Sequence, residues 1–209
     1  MARQRRGIEW PGIVRSNMNL ETLEKLLFDS VAGIKLCSEA KLNNSSLVLL
    51  YCGIDMTSSL DLAYDKMTVK LRYTKWCDTY MFKGRSYEFT SLELYAARCG
   101  VIHEMSSESD LSAKGKTRRI YYAWGDSKVD MLREMNELAN FNDCVAVQVE
   151  DLVQAYESGL NEFLASLRSN KERAHFAIEK ATNCFVTTSD EEMKSLLKWG
   201  RSMLGLPIN

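Results

Sequence analysis

"LVLLYCGI", residues 47–54, is an apolar run with no charged residue. Read alone, it could be a buried strand or the start of a buried helix, because short apolar runs carry no period of their own. Its surroundings decide. The chain has two prolines, Pro11 and Pro207, so nothing between them forbids long helices. The run therefore opens a helix from about Leu47 to Tyr64, and its apolar character makes that helix the central one.

Upstream, Asn19 is a helix cap, and Leu20, Leu23, Leu26, Leu27, Val31 and Ile34 follow at helical spacing. "KLNNSS" breaks this helix, and its serines can cap the next. Downstream, "TKWCDTYMF" is a shorter helical candidate and "KGRSYEF" a loop. Thr90 or Ser91 caps a further helix, with Glu93 placed for a capping box. "SSESDLSAKGKTRR" reads as an exposed loop. "RRIYYAW" is rich in aromatic and β-branched residues, and "CVAVQVED" alternates at period two, so each is expected as a strand. "SKVDMLREMNELANF" between them is helical, as are residues 151–168, 170–185 and 189–204. The expectation is a mainly α fold: a bundle of at least six helices with a small two-stranded β element. Residues 1–18 read as an N-terminal arm and 19–209 as a single helical domain.

The chain of 209 residues carries 27 basic and 28 acidic side chains, a net charge of −1. A dedicated duplex-DNA binder usually has a basic excess, so any nucleic-acid contact is expected as a local patch or through assembly. Six cysteines (Cys37, Cys52, Cys77, Cys99, Cys144 and Cys184) show no CxxC spacing, which suggests reduced core thiols. No run is long enough to span a bilayer, and "MARQRRGIEWPG" has no apolar stretch after it. A cytoplasmic protein without membrane contact is expected.

The chemistry concentrates in "ELYAARCGVIHEM", residues 93–105, which holds Arg98 and one of only two histidines, His103. An ideal helix puts Leu92, Tyr95, Ala96, Cys99 and His103 on one stripe, with Arg98 about 140° round from His103. On that geometry His103 is a core histidine and Arg98 a flanking residue paired with an acid, Asp55 or Asp61. Two features point the other way. Gly100 weakens the helix between the pair by roughly 1 kcal/mol relative to alanine. The small residues of "AARCG" also let a ligand or another backbone approach an arginine whose planar fork suits phosphate.

Arg98-Cys99-Gly100-Val101-Ile102-His103 resembles the R-x4-6-H motif of the HEPN superfamily. Residues 45–185 also resemble a group of bacterial proteins with the pattern "LYAARCG(L/V)(L/I)H … GK(A/T)R … YYAWG", which carries no established activity. The HEPN resemblance implies a helical bundle, often dimeric, that cleaves RNA without a metal and acts in a defence or toxin system. It implies that Arg98 and His103 are catalytic, His103 handling protons and Arg98 holding the scissile phosphate. In place of the polar residue usual after the arginine stands Cys99. The division of labour is chemically sound, since histidine titrates near neutral pH and a fixed cation stabilises the charge building on phosphorus.

Lys114, Lys116, Arg118 and Arg119 in "SAKGKTRR" are candidates for RNA backbone contact, weighed against a solvated loop. Tyr121, Tyr122 and Trp124 suit either base stacking or core packing. Glu172 and His175 form a single ExxH pair, which reads as a solvated helix face; no metal and no cofactor is expected. "GKT" lacks the upstream glycine of a phosphate-binding loop. One reading is thus a HEPN-like, RNA-cleaving homodimer with RNA as its partner. The alternative is a non-catalytic helical protein-interaction module in which Arg98 is structural.

Overall fold

The structure, a computed structural model, describes residues 18–126, 128–184, 190–203 and 205–207. The expected arm, residues 1–18, therefore lies almost wholly outside the described residues. Among those described, nine α-helices and one two-stranded sheet make a mainly α protein. No described helix is long and apolar enough to cross a membrane.

Helix α1 (Leu20–Glu39) starts where expected, because the Asn19 side chain accepts the Thr22 N–H at 2.8 Å. It buries Leu23, Leu27, Val31 and Ile34. After a short turn in which Lys41 is left-handed (φ 58°), α2 (Asn43–Ser59) packs along it. The "NNSS" residues do not cap α2 but belong to it. Ser46 faces α1 and its buried hydroxyl donates to the Ile34 carbonyl at 3.1 Å, so a polar residue serves the helix contact. Leu50, Tyr51 and Ile54 of α2 are fully buried, which makes it central.

A 3-10 turn, Leu62–Tyr64, leads to α3 (Val69–Trp76) and a π-helical turn, Cys77–Met81. Trp76, Tyr80 and Phe163 form an aromatic cluster with ring centroids 5.5–6.2 Å apart. Tyr80 also joins this cluster to an ionic knot. Asp61, fully buried, accepts the Ala63 N–H at 3.0 Å, the Tyr80 hydroxyl at 3.0 Å and the Arg173 guanidinium at 2.9 Å.

Next come α4 (Ser91–Glu104), the short α5 (Asp110–Ala113) within the stretch expected as a loop, and β1 (Arg119–Ala123). Helix α6 (Val129–Leu138) leads to β2 (Cys144–Gln148), α7 (Val149–Arg168), α8 (Lys171–Cys184) and α9 (Asp190–Met203). The two strands are the ones expected, and they run parallel, with Arg119 opposite Cys144 and Ala123 opposite Gln148. Parallel neighbours need a crossover, and α6 supplies it. Ile120, Val145 and Val147 join the core, and the Tyr122 hydroxyl meets that of Tyr51 at 2.5 Å. Tyr122 is thus part of the packing.

The cysteines are more varied than a set of core thiols. Cys77 and Cys144 are buried, Cys37 and Cys99 half-buried, and Cys52 is exposed; all five are free. The side chain of Cys184 lies outside those described.

Candidate functional site

Helix α4 is set by its first turn. The Thr90 side chain accepts the Glu93 N–H while Glu93 accepts the Thr90 N–H at 2.8 Å, the capping box expected from the sequence. Glu93 is buried and also takes the Arg118 Nε–H at 2.7 Å. Burial alone would raise its carboxyl, but Arg118 and the Thr90 N–H hold it below its ordinary value of 4.5. The unfolded chain lacks these partners, so the stabilisation is complete above pH 4.5 and is lost as pH falls through the lower folded value. Thermal unfolding from pH 7 to pH 3 should show an acid limb that is shallower in Glu93→Gln. Identical limbs would remove Glu93 as a contributor.

The face that α4 buries differs from the predicted stripe. Of that stripe Ala96 is buried, but Leu92, Tyr95 and Cys99 are half-buried and His103 is exposed, whereas Leu94, Ala97 and Val101 enter the core. His103 is therefore no core histidine. The helix also runs through Gly100 to Glu104 and ends on Met105, left-handed at φ 51°. The chain then folds back over Gly100, where a β-carbon would stand 2.5 Å from the Glu108 carbonyl oxygen and 2.7 Å from that of Ser106. Gly100, two residues after Arg98, thus serves the approach of the protein's own backbone.

Arg98 and His103 meet all the same. Arg98 Nη1 lies 3.3 Å from His103 Nε2. A guanidinium has no lone pair and can only donate, so the contact sets a fixed cation against the imidazole ring. Arg98 Nη2 donates to Asp55 Oδ2 at 2.6 Å, an acid partner anticipated from the sequence. Burial disfavours the Arg98 cation, but Asp55 beside it raises its affinity for the proton above the ordinary arginine value. The other Asp55 oxygen faces Arg72 Nη2 at 3.9 Å. The three side chains are mostly covered, Arg98 being 14% exposed, Arg72 19% and Asp55 21%. Arg72, in "VKLRYTKW", gave no signal in the sequence because it stands among other cations and apolar residues without a motif.

The basic loop divides. Arg118 is committed to Glu93 and the Glu88 carbonyl, and Arg119 to Asp143 at 2.5 Å. Lys114 makes a loose exposed contact with Asp110, and Lys116 is exposed. Among the described residues no hydrogen bond or ion pair joins these four to Arg98 or His103. Glu172 and His175 are both exposed on α8, and no group of three or more described His, Cys, Asp or Glu residues could hold a metal ion. A cleft of about 470 Å³ between residues 85–89, Arg133, β2 and the start of α7 is lined by neither Arg98 nor His103.

Compared with known proteins, the chain matches no family model, no curated protein and no solved structure.

Proposed function

We propose that the chain is a HEPN-like, metal-independent ribonuclease, in which Arg98 binds the scissile phosphate and His103 moves protons. The observation that carries this reading is the 3.3 Å approach of Arg98 to an exposed His103, a fixed cation beside a titratable ring at the surface. The RNA 2′-hydroxyl attacks phosphorus, its proton passes to His103, and the 5′-oxygen leaves with a proton, giving a 2′,3′-cyclic phosphate. One histidine cannot be base and acid in the same step, so the proposal includes a homodimer whose second copy supplies the other group.

The experiment is RNA cleavage in EDTA beside thermal unfolding. Wild type should cut. His103→Ala should slow cleavage by about 10²–10⁴-fold, the usual range for a general acid or base. Its stability should stay within about 0.5 kcal/mol, because an exposed side chain is lost. Arg98→Ala should also stop cleavage, and should cost stability by stranding Asp55. Light scattering at micromolar concentration should give a dimer. A wild type that leaves RNA intact, or a His103→Ala variant that cuts normally, would overturn the proposal.

A second reading, a non-catalytic protein-interaction module, is favoured by α6. Its Met131, Met135 and Leu138 are 62–79% exposed at helical spacing, and Phe141 follows at 48%. Wild type without nuclease activity would leave this reading standing.

A further inference from the structure

We infer that Arg72 is a second phosphate-binding group of the Arg98 and His103 site, and that the Asp55 carboxylate holds the place between the two guanidiniums that an RNA phosphate takes over. This rests on the proposed function and adds a residue from another helix, α3, to it.

The charges around Asp55 do not balance. Two guanidiniums share a single carboxylate, and they share it unequally. Arg98 makes a full charge-assisted hydrogen bond at 2.6 Å. Arg72 stands 3.9 Å from the other oxygen, beyond hydrogen-bonding reach. That oxygen, Asp55 Oδ1, is buried and has no hydrogen-bond partner, and the Nε atoms of Arg72 and Arg98 are in the same condition. Among the described residues, the Arg72 guanidinium makes no hydrogen bond at all. Buried polar groups are rarely left this way without a reason.

A phosphodiester answers this arrangement. It carries one negative charge and two non-bridging oxygens, enough to engage two guanidinium forks at once. His103, at the exposed end of the group, then stands beside the same phosphate. Because Asp55 is an anion among the same donors, it competes with the incoming phosphate as well as placing Arg98. If Arg72 served only as scaffolding for Asp55, its removal would change stability and leave anion affinity alone.

The test uses the full chain and a fluorescein-labelled single-stranded RNA that is 2′-O-methylated throughout and cannot be cut. Binding is followed by anisotropy over a range of salt. Wild type should bind. Arg72→Gln should bind about tenfold more weakly, as expected for one lost charge-assisted contact. Its salt dependence should fall by about one counterion. Arg72→Lys should keep the salt dependence. Asp55→Asn should bind several-fold more tightly, because the competing charge is gone. Failure of wild type to bind, or unchanged affinity in a folded Arg72→Gln variant, would overturn the inference. If Arg72→Gln does not fold, Asp55→Asn decides, and unchanged or weaker binding overturns it. Binding of this probe with no cutting of unmodified RNA defeats the nuclease reading alone. Cutting with no effect of Arg72 or Asp55 on binding defeats only the present inference.

Discussion

Asp61→Ala should lower the melting temperature by roughly 10–15 °C. The carboxylate is fully buried and serves three separate pieces of chain. It caps the 3-10 turn through the Ala63 N–H, holds the Tyr80 hydroxyl of the π-helical turn, and pairs with Arg173 of α8. Tyr80 and the Arg173 guanidinium also touch each other directly. Alanine leaves a largely covered cation, a hydroxyl and an amide without their acceptor. Breaking a buried pair by removing one partner costs about 3–5 kcal/mol, and in a chain of this size each kcal/mol moves the midpoint by about 2–4 °C. The double variant Asp61→Ala/Arg173→Met should recover part of the loss, because the stranded charge goes with it. A single variant that melts within about 3 °C of wild type would show that the knot contributes little.

Gly100→Ala should cost about 2–3 kcal/mol, near the top of the usual range for added volume in a packed site. The new methyl would meet two carbonyl oxygens of the backbone, at 2.5 and 2.7 Å, and a carbonyl cannot swing aside as a side-chain tip can. Residues 105–109 would have to lift off α4. The effect should reach the candidate site, since the end of α4 carries His103 three residues on. Gly33→Ala is the matched control. There the added carbon meets only Leu49 Cδ1, at 3.9 Å, so alanine should be neutral or stabilise α1 by up to about 1 kcal/mol. Urea denaturation of the two variants side by side measures both effects. A Gly100→Ala protein as stable as wild type would mean that the loop above it is free to move.

Much of this fold is legible in the chain because its signals are local. Asn19 and the Thr90–Glu93 pair act within one turn of helix, so capping chemistry finds the starts of α1 and α4 without knowing what surrounds them. The two strands show their character in composition and alternation. The features that are not legible depend on partners distant in sequence. Alternation says nothing of direction, so a parallel pair bridged by α6 looks the same as an antiparallel one. The ideal-helix stripe of α4 pointed His103 inward, but the face a helix buries is chosen by the surfaces packed against it, here through Leu94, Ala97 and Val101. The meeting of Arg98 with His103 arises because a long side chain, tethered to Asp55 on α2, reaches round the helix. Arg72 is the extreme case, since only the fold of α3 brings it to that carboxylate.

The parallel pairing of β1 and β2 has a consequence for how the protein comes into being. On a ribosome β1 emerges first and has no mate until residues 124–143 and β2 itself have followed. Its hydroxyl link from Tyr122 back to Tyr51 joins segments still further apart. Helices α1 and α2, by contrast, are joined by a short turn and can associate as soon as both are made. Contacts between distant segments form slowly because the intervening chain must first be ordered. The sheet thus follows the α1–α2 pair and precedes the still longer-range packing of α7 and α8 on α1, and until it forms the apolar segment "CVAVQ" is open to pairing with a stranger.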